Sequence, residues 1–342
     1  MIPSQRISTL ALCGVLVAAI ACQPCLAAEA SGVATPVARL TFDGQIRNNS
    51  LALSPDESTA VVSYSERPEV IVYNVRAGTV RGVLPGYVTP RNIVFAPDGQ
   101  SFYVSDSSRG DVSQVSTVSL QPMSRLAAGP GAFGTAMSAD GRTLYVNNQA
   151  GSTVTRFDLA HDQATAVITG FAQPRQGVRL SPDSRKLYVT NFLGDKVTIV
   201  DTLTNKIDGE ITGFNKIRAI SVTADGKTLF AANSGTNSVA VVDIDKRQIT
   251  STVPVGKDPY GAALSPDGRS VYCGNLADNT VSVIDVATLK VTATIAGFKQ
   301  PRQAVVFTRD GATAYVLNED LSVSKVDRAS QQVVSTLAPS KH

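Results

Sequence analysis

The 342-residue chain contains no tryptophan, only two histidines and few charged residues, 17% of the total. His161 sits in a turn-forming stretch and His342 stands in the last position. Neither a Ser-His-Asp arrangement nor a histidine-ligated haem at the centre of the fold fits that supply. The formal net charge is +3, too mild a balance to mark the surface for polyanions. Of four cysteines, Cys13, Cys22 and Cys25 stand near the start, which leaves Cys273 alone and excludes a disulfide framework in the remainder. No Walker-type phosphate loop is present. What the chain has is apolar residues, 43% of it, so it can bury a large core.

The first thirty residues differ in kind from the rest. Arg6 is followed by an apolar run from Leu10 to Ala21 and by small residues in "CLAAEA". That order predicts a secretory signal peptide over residues 1–28, cleaved between Ala27 and Ala30, and the run is too short to span a bilayer. The expected location is the periplasm or the medium, with no transmembrane segment after cleavage, and the expected state is a monomer. A rival reading takes "AIAC", ending at Cys22, as a lipoprotein box, although Ala19 stands where such boxes carry Leu.

Internal repetition decides the architecture. The turns "SPDE" at Ser54, "APDG" at Ala96, "SADG" at Ser138, "SPDS" at Ser181, "TADG" at Thr223, "SPDG" at Ser265 and "TRDG" at Thr308 recur every 42 or 43 residues. Seven units of this length, rich in Val, Thr, Ile and Tyr, predict an all-β fold, a seven-bladed β-propeller of four-stranded antiparallel blades over residues 35–339. In the sixth unit "YGAALSPDG", "SVYCGN", "NTVSVIDVA" and "KVTATIAG" are the four strands in order. The aspartates of these turns, Asp56 to Asp310, read as turn chemistry. Both "VARLTF" near the start and "QQVVSTL" near the end look like fourth strands, and pairing of the two ends is the expected closure.

The second strand of several units carries "YVNN" at Tyr145, "YVTN" at Tyr188, "YCGN" at Tyr272 and "YVLN" at Tyr315. In these motifs the chain resembles the YVTN-repeat propellers, and seven units behind an export leader are similar to the YncE-type periplasmic members. That resemblance covers Val37 to Ala338 and implies the propeller fold and a possible role in binding single-stranded nucleic acid.

Candidate site residues emerge from comparing equivalent positions. Four before the turn stand the small or short residues Ser50, Asn92, Gly134, Gly177, Ala219, Gly261 and Ala304, as crowded inner strands require. Five before it stand Asn49, Arg91, Phe133, Gln176, Arg218, Tyr260 and Gln303, with Arg175 and Arg302 one position earlier. The loop entering the first strand and the loop leaving the second open on one face. That face is expected to gather Arg91, Arg175, Arg218 and Arg302 with Tyr260, Gln176 and Gln303, and to add the strand-ending Asn191, Asn233 and Asn275. Arg179 is a further candidate, a cation on an inner strand that must meet water in the channel or a partner.

Each candidate has a bland alternative. Tyr87, Phe171, Phe214 and Phe298 can plug the gaps between blades, the asparagines can bond their own turns, and the arginines can pair with Asp106, Asp195, Asp278 or Glu319. Guanidinium groups converging on a funnel would instead recognise carboxylate or phosphate. No catalytic residue, metal or cofactor is expected: the inner-strand columns hold no Asp or Glu, whereas propeller lactonases bind metal through acidic and amide groups, and quinone-dependent propellers carry Trp. Three functions follow: a non-enzymatic binder of an anionic small molecule, single-stranded nucleic acid or an envelope protein; a lactonase- or lyase-like enzyme acting on an anionic metabolite; and an envelope scaffold that uses its blade edges.

Overall fold

The computed structural model describes residues 37–40 and 47–339, so the leader with its Cys22 lies outside the described residues. Seven four-stranded antiparallel sheets form, each from four consecutive strands, and the described residues contain strands and turns only. The innermost strands are Asn49–Leu53, Pro90–Phe95, Ala132–Met137, Pro174–Leu180, Ile217–Val222, Ala263–Leu264 and Val305–Phe307. The seven-bladed propeller expected from the 42-residue period is the fold.

Burial explains the grading of the strands. A second strand such as Ser101–Asp106 is buried along its whole length, because neighbouring blades cover both of its faces. An outermost strand such as Thr79–Leu84 alternates exposed and partly buried residues and meets water along one side. Between blades, side chains of adjacent sheets interdigitate. Tyr188 and Ile199 of the fourth blade pack with Ile220, Leu229 and Ala231 of the fifth in one cluster. Phe171, Phe214 and Phe298 belong to such clusters, so they are plugs rather than platforms.

The recurrent first turn holds itself together. Ser54 Oγ donates to Asp56 Oδ1 at 2.6 Å and accepts from the Thr59 amide at 2.9 Å, and the same pair of bonds recurs at Ser181 and Ser265. Hydrogen bonds from Ser54 and Ser58 hold the Asp56 carboxyl at about 2, below the usual carboxylate range. The aspartate column is therefore turn chemistry.

Among the described residues the two ends do not pair as strands; Thr41 and Phe42 of the expected N-terminal strand lie outside the described residues. The seventh blade takes its fourth strand, Gln332–Leu337, from its own unit, and Val37–Leu40 form no strand among the described residues. Leu40 instead donates its amide to Ser108 Oγ of the second blade. Blades one and seven meet through side chains: Tyr73 Oη donates to the Leu321 carbonyl at 2.8 Å, Tyr64 Oη donates to Glu319 Oε1 at 2.9 Å, and Leu51, Tyr315 and Leu317 share a core.

Crowding at the hub fits the column of small residues. A Cβ on Gly134 would lie 2.7 Å from the backbone oxygens of Arg175 and Gln176, and one on Gly177 would lie 2.7 Å from the Arg218 oxygen. Only glycine lets the strands that carry Arg175 and Arg218 approach this closely.

Candidate functional site

The two copies of the loop "QPRQ" bring their last residues together across the hub. Gln176 and Gln303 come from blades four and seven, and Gln303 Nε2 donates to Gln176 Oε1. Gln176 Oε1 also accepts from Asn48 Nδ2 at 2.9 Å, and its Nε2 donates to Asn92 Oδ1 at 3.1 Å. Gln303 Nε2 donates to the Asn49 carbonyl at 2.8 Å, and Asn92 Nδ2 donates to Thr135 Oγ1 at 2.7 Å. This amide network crosses the channel and separates two spaces.

Above it lies a funnel of about 450 Å³. Of the residues expected from the sequence, Arg175, Gln176, Arg218, Tyr260 and Gln303 line it. Arg47, Asn48, Phe133, Phe192, Leu193, Asp195, Lys216 and Ile217 complete the wall and were not singled out as site residues. Below the network a cavity of about 170 Å³ holds Arg179 with Asn92, Thr135 and apolar inner-strand residues. Arg179 keeps contact with solvent in the bore and donates to the Val178 carbonyl, while the surrounding protein lowers its pKa. The channel cation expected from the sequence is thus in the channel but on the other side of the network from the funnel.

The four arginines of the upper face have unlike surroundings. Arg91 is fully buried; its Nε donates to Ser107 Oγ at 2.8 Å, its Nη1 to Asn48 Oδ1 at 2.5 Å, and it lies 4.6 Å from the Phe133 ring centre. It belongs to the wall and does not line the funnel. Arg302 also stands behind the lining, 5.1 Å from the Tyr260 ring centre, and donates to the Arg47 carbonyl. Arg218 faces the funnel, donates Nε to Ser234 Oγ and lies 4.5 Å from the same Tyr260 ring, so one aromatic serves two cations.

Arg175 faces the funnel with its guanidinium 3.9 Å from the Phe192 ring centre. Burial first, and then the Arg218 charge, pull its pKa down to about 9, while Tyr260 and Asp195 oppose the shift. The group remains cationic at neutral pH. The Nε atoms of Arg175 and of its twin Arg302 are buried without a hydrogen-bond acceptor. Among the described residues no carboxylate forms an ion pair with Arg175, Arg218 or Arg302, so the expected alternative of pairing with Asp195, Asp278 or Glu319 is not what this site contains.

The asparagine column lies elsewhere. Asn191 Oδ1 accepts from the Ala172 amide and its Nδ2 donates to Thr198 Oγ1; Asn233 Oδ1 accepts from the Asn215 amide; Asn275 Nδ2 donates to Thr280 and Ser282. All three are buried and none lines the funnel. Asn191 and Asn233 fasten upper loops to their strands, and Asn275 ties the second strand of its blade to the third, the bland reading of these positions. In Asn191 the two ends of one carboxamide satisfy a loop amide and a strand hydroxyl together.

A family model described as lactonase, 7-bladed beta-propeller, matches residues 47–206 and 199–308. The chain belongs to this lactonase propeller family. Among solved structures, the lactonase-family propeller is similar to Kuenenia stuttgartiensis hydrazine synthase, with a TM-score of 0.73 and 20% identity over 82% of this chain and 95% of that one. At that identity the likeness concerns the fold. None of the curated proteins compared matches the chain. Among the described residues, no group of three or more His, Cys, Asp or Glu is placed to hold a metal ion. The funnel of this lactonase-family propeller supplies amides, cations and one carboxylate, Asp195.

Proposed function

We propose that the upper funnel binds a small anion, held by Arg175 and Arg218 with Lys216 and Arg47 at the rim and the Gln176–Gln303 amides as floor. The observation that carries this reading is an imbalance: four cations and one carboxylate line a cavity of about 450 Å³. Arg175 and Arg218 face this cavity with no carboxylate among the described residues paired to them, and a guanidinium holds an arriving carboxylate or phosphate bidentately. Calorimetric titration of the full chain with phosphate, acetate and succinate at low salt tests the idea. Binding is expected to fall at least tenfold in R175M and in R218M; equal affinity in parent and variants removes the proposal.

A single-stranded nucleic acid fits this geometry less well, since the amide network closes the hub below the funnel and the net charge is only +3. Salt dependence separates the two: four phosphate contacts give a slope of about −3 in log affinity against log salt, one small anion a much shallower one.

Family membership favours a second reading, hydrolysis of a lactone. Water would attack the ring carbonyl, the ring C–O bond would break, and the hydroxy acid formed would carry a carboxylate suited to Arg175. Asp195 is the lining carboxylate that would take the proton from water and pass it to the ring oxygen as it leaves. Turnover of simple lactones by the parent and its loss in D195N would establish it. The finer assignment to the YVTN-repeat, YncE-type propellers, and export behind a cleaved leader, belong to the same proposal; they rest on the "YVTN" motif and the apolar run from Leu10. Sequencing the N-terminus of the exported protein tests the latter, with a first residue from Ala28 to Ser31 expected.

A further inference from the structure

The wall of the funnel is apolar on one side, and that side is peculiar to one blade. At the two positions after the Asn, Asp or Tyr that closes the YVTN-type motif, five blades carry short or polar pairs, Ser65–Glu66, Ser107–Ser108, Gln149–Ala150, Ser234–Gly235 and Glu319–Asp320, and blade six has one large apolar residue in Leu276–Ala277. Blade four alone has two large apolar residues there, Phe192 and Leu193, in "NFLGD". They are 42% and 51% exposed, so packing of the fold does not call for them. Both line the funnel, facing a space shared with Phe133, Ile217 and the Tyr260 ring. The Phe192 ring covers the Arg175 guanidinium at 3.9 Å, which places an apolar surface directly beside the cation with the unused donor.

Resting on the anion-binding reading, we infer that the ligand is an organic carboxylate with an apolar body, its carboxylate on Arg175 and Arg218 and its hydrocarbon against Phe192, Leu193 and Ile217. A free phosphate, sulfate or polycarboxylate would leave that apolar wall in water. An aliphatic or aryl chain removes it from water, and each buried methylene adds about 0.8 kcal/mol, which is about a fourfold gain in affinity. The floor of paired amides limits the length: the Gln176–Gln303 bond stops the chain from threading the channel, so the gain ends once the funnel is full.

The experiment is a calorimetric series with the full chain, running from acetate through butanoate and hexanoate to octanoate, with benzoate and inorganic phosphate alongside. Affinity is expected to rise about three- to fourfold per methylene up to a plateau, with phosphate weaker than hexanoate. In F192A/L193A the gain per methylene should fall to less than half, while M123A, which removes an exposed apolar residue of an outer strand, keeps the parent slope. R175M should weaken every carboxylate by a similar factor. Binding of acetate and phosphate with no gain along the series, or an unchanged slope in F192A/L193A, overturns the inference and leaves the anion site standing. No binding of any member overturns both.

Discussion

The funnel has a closed side and an open side, built from the same stretch of the same repeat. On the closed side, at blades one and two, Ser50 and Asn92 occupy the crowded hub position, Ser50 Oγ donates to Asn92 Oδ1, and Arg91 is locked to Ser107 and Asn48. On the open side, at blades four and five, the same hub position holds Gly177 and Ala219, and Arg175 and Arg218 face a cavity. The repeat supplies the frame, and the partners within reach of each guanidinium separate wall from site: Arg91 is taken up by Ser107 and Asn48, and Arg302 stands behind the lining although its blade, too, has a small residue, Ala304, at the hub.

The largest effect expected from breaking this contrast is at Gly177. Its added Cβ would meet the Arg218 carbonyl and the Thr190 side chain well inside contact distance, so G177A should destabilise the fold by about 2–3 kcal/mol and G177V by more, read by urea unfolding. Next come the arginines themselves. R91M strands the buried Ser107 and Asn48 partners and should cost about 1–2 kcal/mol, whereas R175M, measured without ligand, should stay within about 0.5 kcal/mol of the parent because no acceptor is abandoned. Equal costs for the two would erase the distinction between wall and site. The smallest effect lies outside the hub: Ser184 holds φ at 58° in the turn where the sister units Gly99 and Gly268 have glycine, so S184G should raise stability by up to about 1 kcal/mol in thermal unfolding and leave anion affinity unchanged.

Much of the frame was legible because each unit repeats its own instructions. Ser54, Asp56 and their equivalents specify one turn seven times, and "YVTN" marks the strand that neighbouring blades bury. The asparagines were legible as a column, and their role as fasteners follows from local bonds that any unit makes by itself. The amide network was not legible. Gln176 and Gln303 stood out as duplicates, yet their contact depends on blades four and seven lying opposite each other across a ring, a relation no local pattern encodes. Phe192 could have been found by comparing the residue after each strand-ending Asn, where it is the only aromatic. Arg91 and Arg218 share one column in sequence, and what separates them is their partners: Arg91 is held by both Ser107 and Asn48, whereas Arg218 faces the funnel.

Because every blade is drawn from one unbroken stretch of chain, the joint between blades seven and one is made of the same material as the other six: packed side chains and a few hydrogen bonds, with no strand shared across it among the described residues. All seven joints are then interchangeable as places to cut and rejoin. A circular permutant opened at any other joint, with residue 339 linked to residue 47, keeps every sheet whole, and the wheel has no topological beginning.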